Sequence, residues 1–196
     1  SRIPDAHYLW EGKYNGSKII VITPEFNSTA IHADLWVPLK AGYDGHLALA
    51  ILHRIVQRKL YDEQFLKERT DLPLLVRKDT KELLRLSDLE GYDPATAELF
   101  TKPQHGRTPK PHECFVVMNK KTGKVTVVPG SEGATVETLR LTDLGWDIDP
   151  ALTGTFQVKL KGGKTVAATT AFELFKKELD AFSAEKTKDL TGVHPA

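Results

Sequence analysis

The apolar positions of this chain follow two patterns, and each predicts its own kind of element. Ala48, Ile51, Leu52, Ile55 and Val56 recur at i, i+3, i+4, i+7 and i+8. That spacing forms one stripe of an α-helix, with His46, His53, Arg54, Gln57 and Arg58 mostly on the other face. Ile19-Ile20-Val21-Ile22, entered from Lys18, is instead a continuous β-branched run. Without alternation it reads as a strand buried on both faces of a parallel sheet. Thr23-Pro24 ends it, Asn27-Ser28-Thr29 starts a helical turn through Ile31, His32 and Ala33, and residues 34–38 read as a second short strand. Residues 2–12 predict an opening helix, with Pro4 and Asp5 suited to its first turn. Asn15-Gly16 marks a turn. Asp44 reads as the N-cap of the long helix. Asp62 reads as the cap of a further helix reaching about Arg69, which Leu72-Pro73 stops because the residue before proline avoids helical backbone.

Beyond Pro73 the pattern changes. Residues 74–77 form a short strand, and residues 102–111 a loop rich in proline, glycine and charge. Residues 115–118 and 125–128 flank a turn ending in Gly123, and residues 156–160 and 165–168 flank Gly162-Gly163; both read as hairpins. Thr170-Ala171-Phe172-Glu173 is a capping box opening a helix with Phe172, Phe175, Leu179 and Phe182 on one face. Residues 183–196 read as a polar tail. The predicted fold class is α/β: a partial open Rossmann-like sheet with flanking helices over residues 1–75, a hairpin-rich antiparallel insertion over 76–169, and a helix and tail over 170–196 that return to the α/β layer.

Composition narrows the function. The 196 residues suit one good-sized domain with or without an appendage. With 27 basic and 26 acidic residues the net charge is +1, so no basic field serves nucleic acid. The apolar runs are too short for a transmembrane helix, and no direct membrane insertion is expected. A single cysteine, Cys114, excludes an intrachain disulfide and an iron–sulfur cluster held by this chain alone. Its apolar neighbours predict a buried, inert thiol. The seven histidines have no metal-ligand spacing and read as surface or capping residues. No GxGxxG follows the first strand and no GxxxxGK[ST] occurs, which disfavours a standard NAD site or P-loop. No catalytic arrangement of Ser, His, Asp or Cys can be proposed from spacing.

Open α/β sheets bind ligands at the carboxyl ends of their strands. Two loops qualify: Thr23-Pro24-Glu25-Phe26-Asn27-Ser28 and Leu39-Lys40-Ala41-Gly42-Tyr43-Asp44. Glu25 suits ribose hydroxyls, as an acidic strand-end residue does in nucleotide-binding folds. Asp44 can accept from a guanine ring N–H and the amine beside it. Gly42 permits close backbone approach, and Lys40 can offset phosphate charge. The plainer readings stand beside these: Asp44 as a helix cap and Glu25 as a solvated carboxylate.

Several runs together resemble the dimethyl sulfoxide reductase superfamily and, most closely, the large catalytic subunits of its nitrate-reductase-like branch. They are residues 2–8, residues 18–27, Ala33-Asp34-Leu35-Trp36, Gly42-Tyr43-Asp44, residues 70–77, Pro150-Ala151-Leu152 and Leu190-Thr191-Gly192-Val193. The resemblance implies a bis(molybdopterin guanine dinucleotide) cofactor, with Thr23, Pro24, Glu25, Ser28, Lys40, Gly42 and Asp44 near the guanosine part of one dinucleotide. Tyr43 departs from the family's usual threonine. The resemblance further implies that the chain is an internal piece of a larger catalytic subunit, inactive alone, of an oxyanion reductase or related dehydrogenase of nitrate, nitrite, perchlorate, selenate or ethylbenzene type. The iron–sulfur cysteines and the molybdenum ligand are then expected in segments preceding Ser1. Expected partners are the rest of that subunit and an iron–sulfur electron-transfer subunit; either side of the membrane is possible. Two other classes stay open: a subunit-packing or assembly module without cofactor contact, and a small Rossmann-like enzyme complete in itself.

Overall fold

The computed structural model describes residues 3–91, 114–127 and 148–194. In chain order the elements are α1 (Ile3–Tyr14), β1 (Ile20–Ile22), β2 (Leu35–Val37), α2 (Asp44–Gln57), α3 (Glu63–Arg69), β3 (Leu75–Arg77), β4 (Val116–Asn119), β5 (Lys124–Val127), β6 (Thr155–Lys159), β7 (Thr165–Thr170), α4 (Ala171–Leu179) and α5 (Ala184–Thr191). Short 3-10 turns lie at Ala30–His32, Leu86–Asp88 and Asp180–Phe182. The mixed α/β class expected from the patterns is the class observed. The expected loop at 102–111, residue 128 of the first hairpin and the last two residues of the tail lie outside the described residues. The chain forms two compact units, Ser1–Leu60 with Glu178–Ala196, and Tyr61–Lys177.

In the first unit β1 pairs with β2 in parallel, with Ile20 opposite Leu35, Val21 opposite Trp36 and Ile22 opposite Val37. Asp34 sets this register. Its amide donates to the Ile19 carbonyl and its Oδ2 accepts from the Ile19 amide, both at 2.8 Å. The Ile19 amide holds the Asp34 carboxyl below its usual range, and Lys13 and Lys18 at 3.7 and 3.8 Å add to the effect. The strand is not buried on both faces as its sequence predicts. Ile19 is 6% exposed, but Ile20 and Ile22 are 60% and 50% exposed, and Leu35, across from Ile20, is 53% exposed. Side chains alternate across a sheet, and no layer of the described residues covers the side that carries these three.

The polar tail is also corrected: it contains α5. Thr187 and Thr191 are buried there, their hydroxyls donating to the carbonyls of Ser183 at 3.1 Å and Thr187 at 3.0 Å. Satisfied within the helix, these side chains can be buried without an apolar stripe to announce them.

The second unit holds most of the buried apolar residues. β3, β7 and β6 form an antiparallel sheet in that order, and β4 and β5 form a hairpin. Leu75, Leu84, Val116, Val127, Val158, Val166 and Ala168 pack into one core with Cys114, which is buried as expected. The Asp62 cap is present, Oδ1 accepting from the Phe65 amide at 3.0 Å. Lys67 on α3 binds Glu63 and Asp149, each at 2.7 Å. Burial works against its charge, but these two carboxylates outweigh burial and raise its pKa. Thr170 supplies the N-cap half of the predicted box, accepting from the Glu173 amide at 3.2 Å. Glu173 pairs with Lys176 at 3.4 Å.

Candidate functional site

Parallel pairing makes β1 and β2 run in one direction, so both candidate loops leave the same edge of the sheet. The first loop is fastened at its base. The Thr23 amide donates to the Val37 carbonyl at 3.2 Å, and the Thr23 carbonyl accepts from the Trp36 indole at 3.1 Å. The Phe26 ring meets Trp36 edge to face, 5.0 Å between centroids. Asn27 Oδ1 accepts from the amides of Thr29 and Ala30 at 3.0 and 3.1 Å, and so caps the 3-10 turn that follows. Pro24, Glu25 and Ser28 are exposed on this rigid base. The side chains of Glu25 and Ser28 make no hydrogen bond or ion pair among the described residues.

The second loop follows the buried Leu39. Lys40 is exposed and tied to the end of α5: its ammonium donates to the Asp189 carbonyl at 2.8 Å, and its amide donates to the Thr191 carbonyl at 2.9 Å. The Tyr43 amide closes a turn on the Lys40 carbonyl at 3.3 Å. Gly42 has φ +87°, a left-handed conformation that favours glycine, and a Cβ there would meet no heavy atom within 4 Å. The space before it is open. Asp44 is not the cap; it is the first residue of α2, and Tyr43 holds the cap position without a side-chain bond. The amides of that first turn therefore have no side-chain cap, and a carboxylate at this positive end of the helix is electrostatically favoured. Asp44 is exposed and has no partner among the described residues. Tyr43 stacks edge to face on His46 at 5.2 Å, and His46 on Phe182 at 5.8 Å.

The edge thus offers two unpartnered carboxylates, Glu25 and Asp44, an exposed hydroxyl at Ser28, and open backbone at Gly42. These can accept hydrogen bonds from sugar hydroxyls and from paired N–H donors. Of the residues that build the edge, the sequence assigned a local role to Asn27 alone, at the start of a helical turn. Asp34 sets the register, Trp36 and Asn27 fix the first loop, and Asp189 and Thr191 fix the second. Only the Asn27-x-Thr29 spacing carried a local signal, that of an Asx turn.

A separate groove of about 670 Å³ runs along α2 and the segment from Asp180 to His194. None of the predicted site residues lines it. Several of its polar side chains have partners: His53 faces Asp180 at 3.7 Å, Arg54 donates to Gln57 at 3.2 Å, and Lys186 donates to the Asp180 carbonyl at 2.7 Å.

No family model matches the chain. Individual relatives do. It is 40% identical to the dimethylsulfide dehydrogenase subunit alpha of Rhodovulum sulfidophilum over all of this chain and 19% of that protein. It is 39% identical to the perchlorate reductase subunit alpha of Dechloromonas aromatica, over 98% of this chain and 21% of that protein. It is 35% identical to the respiratory nitrate reductase subunit alpha of Haloferax mediterranei, over 98% of this chain and 18% of that protein. The chain spans about a fifth of the length of these curated relatives. Identity at this level along its whole length places it by descent: the chain belongs to the dimethyl sulfoxide reductase superfamily, aligned with part of the catalytic alpha subunits.

Proposed function

We propose that the sheet edge formed by residues 23–28 and 40–44 holds the guanosine end of a molybdopterin guanine dinucleotide in the catalytic subunit of a molybdenum oxidoreductase, acting on an oxyanion or in a related dehydrogenation. The carrying observation is the pair of exposed carboxylates without partners, Glu25 and Asp44, on loops that leave one edge of a parallel sheet. Asp44 suits the guanine N–H pair, Glu25 and Ser28 suit ribose hydroxyls, and Gly42 lets the nucleotide approach the backbone. When bound, the cofactor supplies oxygen-atom and electron transfer at molybdenum. The part of this chain is to bind and orient one end of it. Among the described residues no group of three or more His, Cys, Asp or Glu could hold a metal ion, so no ligand to molybdenum or to an iron–sulfur cluster is assigned here. Homology to alpha subunits supports partners: the rest of a catalytic subunit and an iron–sulfur subunit. No helix among the described residues is long and apolar enough to cross a membrane.

The test is Asp44→Ala in the full-length protein. Losing hydrogen bonds to a charged acceptor costs about 1.5–3 kcal/mol, so cofactor retention should fall about tenfold or more, measured as molybdenum and guanine nucleotide released on denaturation. Full occupancy in the variant overturns the assignment. A second reading, subunit packing without cofactor contact, has its own observation in the exposed Ile20, Ile22 and Leu35. It is favoured if Ile20→Lys breaks assembly while Asp44→Ala leaves the cofactor in place.

A further inference from the structure

The loop that carries Gly42 and Asp44 has an anchor that its own neighbourhood in sequence does not contain. Lys40 reaches the C-terminal end of α5 with both its backbone and its side chain: amide to the Thr191 carbonyl at 2.9 Å, ammonium to the Asp189 carbonyl at 2.8 Å. Carbonyls at a helix C-terminus lack intrahelical donors and carry partial negative charge, so a lysine there satisfies both needs. The aliphatic stem lies over Gly192. A Cβ on Gly192 would stand 3.3 Å from Lys40 Cγ and 3.4 Å from Cε. Gly192 has φ +75° and closes the helix by donating to the Lys188 carbonyl at 2.8 Å. Thr191, 1% exposed, braces the same turn by accepting from the Val193 amide at 3.1 Å. On its other side the Lys40 carbonyl accepts from Tyr43, which holds the N-cap position of α2. A continuous set of bonds therefore runs from the end of α5 through Lys40 to the first turn of α2.

We infer that Lys40 is a positioning residue, not a phosphate ligand, and that the Lys188–Gly192 end of α5 is the device that fixes the Lys40–Asp44 turn for nucleoside recognition. This rests on the reading of that turn as a guanosine site. A lysine serving phosphate would use the N–H groups of its ammonium that the Asp189 carbonyl does not take, whereas a lysine serving the turn acts through Gly42 and Asp44 and is indifferent to whether phosphate is present.

The test uses cofactor-free full-length protein. Lys40→Met keeps the stem over Gly192 and removes the ammonium. Without ligand, amide exchange in residues 40–44 and at Gly192 should quicken about tenfold, as expected for loss of a charge-assisted hydrogen bond. Lys40→Arg should restore it. Unchanged exchange in Lys40→Met overturns the inference. Guanosine and GDP then separate the two roles. A positioning lysine weakens both by a common factor, about tenfold, with rescue by arginine; a loss confined to GDP identifies a phosphate contact and overturns the inference. Should wild-type protein bind neither, the guanosine reading fails, while the exchange measurement still decides whether Lys40 fixes the turn. Gly192→Ala reaches the same turn from the other side. It should give the same exchange signature if Lys40→Met does not fold, and normal exchange there overturns the inference.

Discussion

Thr170 is fully buried where β7 passes into α4, and its one hydroxyl is used twice. It accepts from the Glu173 amide at 3.2 Å and donates to the Leu152 carbonyl at 2.6 Å. The sequence showed the first bond, because a threonine three residues before a glutamate is a local signal. It could not show the second, because Leu152 approaches only in the folded chain. Thr170→Val keeps the shape and removes both bonds, leaving a part-buried amide and a buried carbonyl short of partners. The expected cost is about 1–3 kcal/mol, read from the urea midpoint, with Thr170→Ser recovering most of it; a valine variant as stable as wild type contradicts the double role.

At the scale of elements, the turn after β3 shows how charge reinforces backbone. The Arg77 amide donates to the Glu82 carbonyl at 2.9 Å, and the Arg77 guanidinium grips Asp79 with bonds of 3.0 and 2.8 Å. That bidentate contact is the main cause lowering the Asp79 pKa from 3.8 to about 2. A carboxyl whose pKa is lower in the folded state contributes stability that is fully present above its unfolded value and is lost as pH falls through its folded value. The contribution of Asp79 is thus present above pH 3.8 and fades toward about pH 2. The pair is exposed, so the amplitude is small. Asp79→Asn should flatten the fall in stability across that interval while leaving its slope near neutrality unchanged, measured by denaturant titration at successive pH values. An unaltered acid limb means that Asp79 does not carry the effect.

Across the whole molecule, apolar side chains are distributed unevenly between the two units. Among the described residues, all the exposed large hydrophobic side chains but Phe65 belong to the first unit, among them Ile20, Ile22, Phe26, Ile31 and Leu35. The second unit buries its own in a main cluster around Leu75, Leu84 and Val116 and a smaller one of Leu74, Val117 and Ile148. Leu84→Ala should therefore cost about 2–5 kcal/mol, the usual range for a filled core position. Ile20→Thr should stay within about 0.5 kcal/mol in this chain. Equal costs in urea unfolding would contradict this contrast.

What the sequence determined by itself was local. The stripe from Ala48 to Val56 became α2, the β-branched run became β1, Asp62 capped α3 and Thr170 capped α4, because period and capping depend on neighbours a few residues away. Strand order pointed to the candidate edge as well, since parallel strands share an end for their loops. Tertiary structure decided the rest. It exposed one side of β1, since burial depends on the layer opposite and not on the strand. It packed the polar segment against α2 as a helix and buried Thr187 and Thr191 there. It also gave Lys40 a carbonyl partner 149 residues away, which its own neighbourhood in sequence does not contain. A lysine can serve a phosphate, a carboxylate or a helix end, and only the folded chain determines which of them lies within reach.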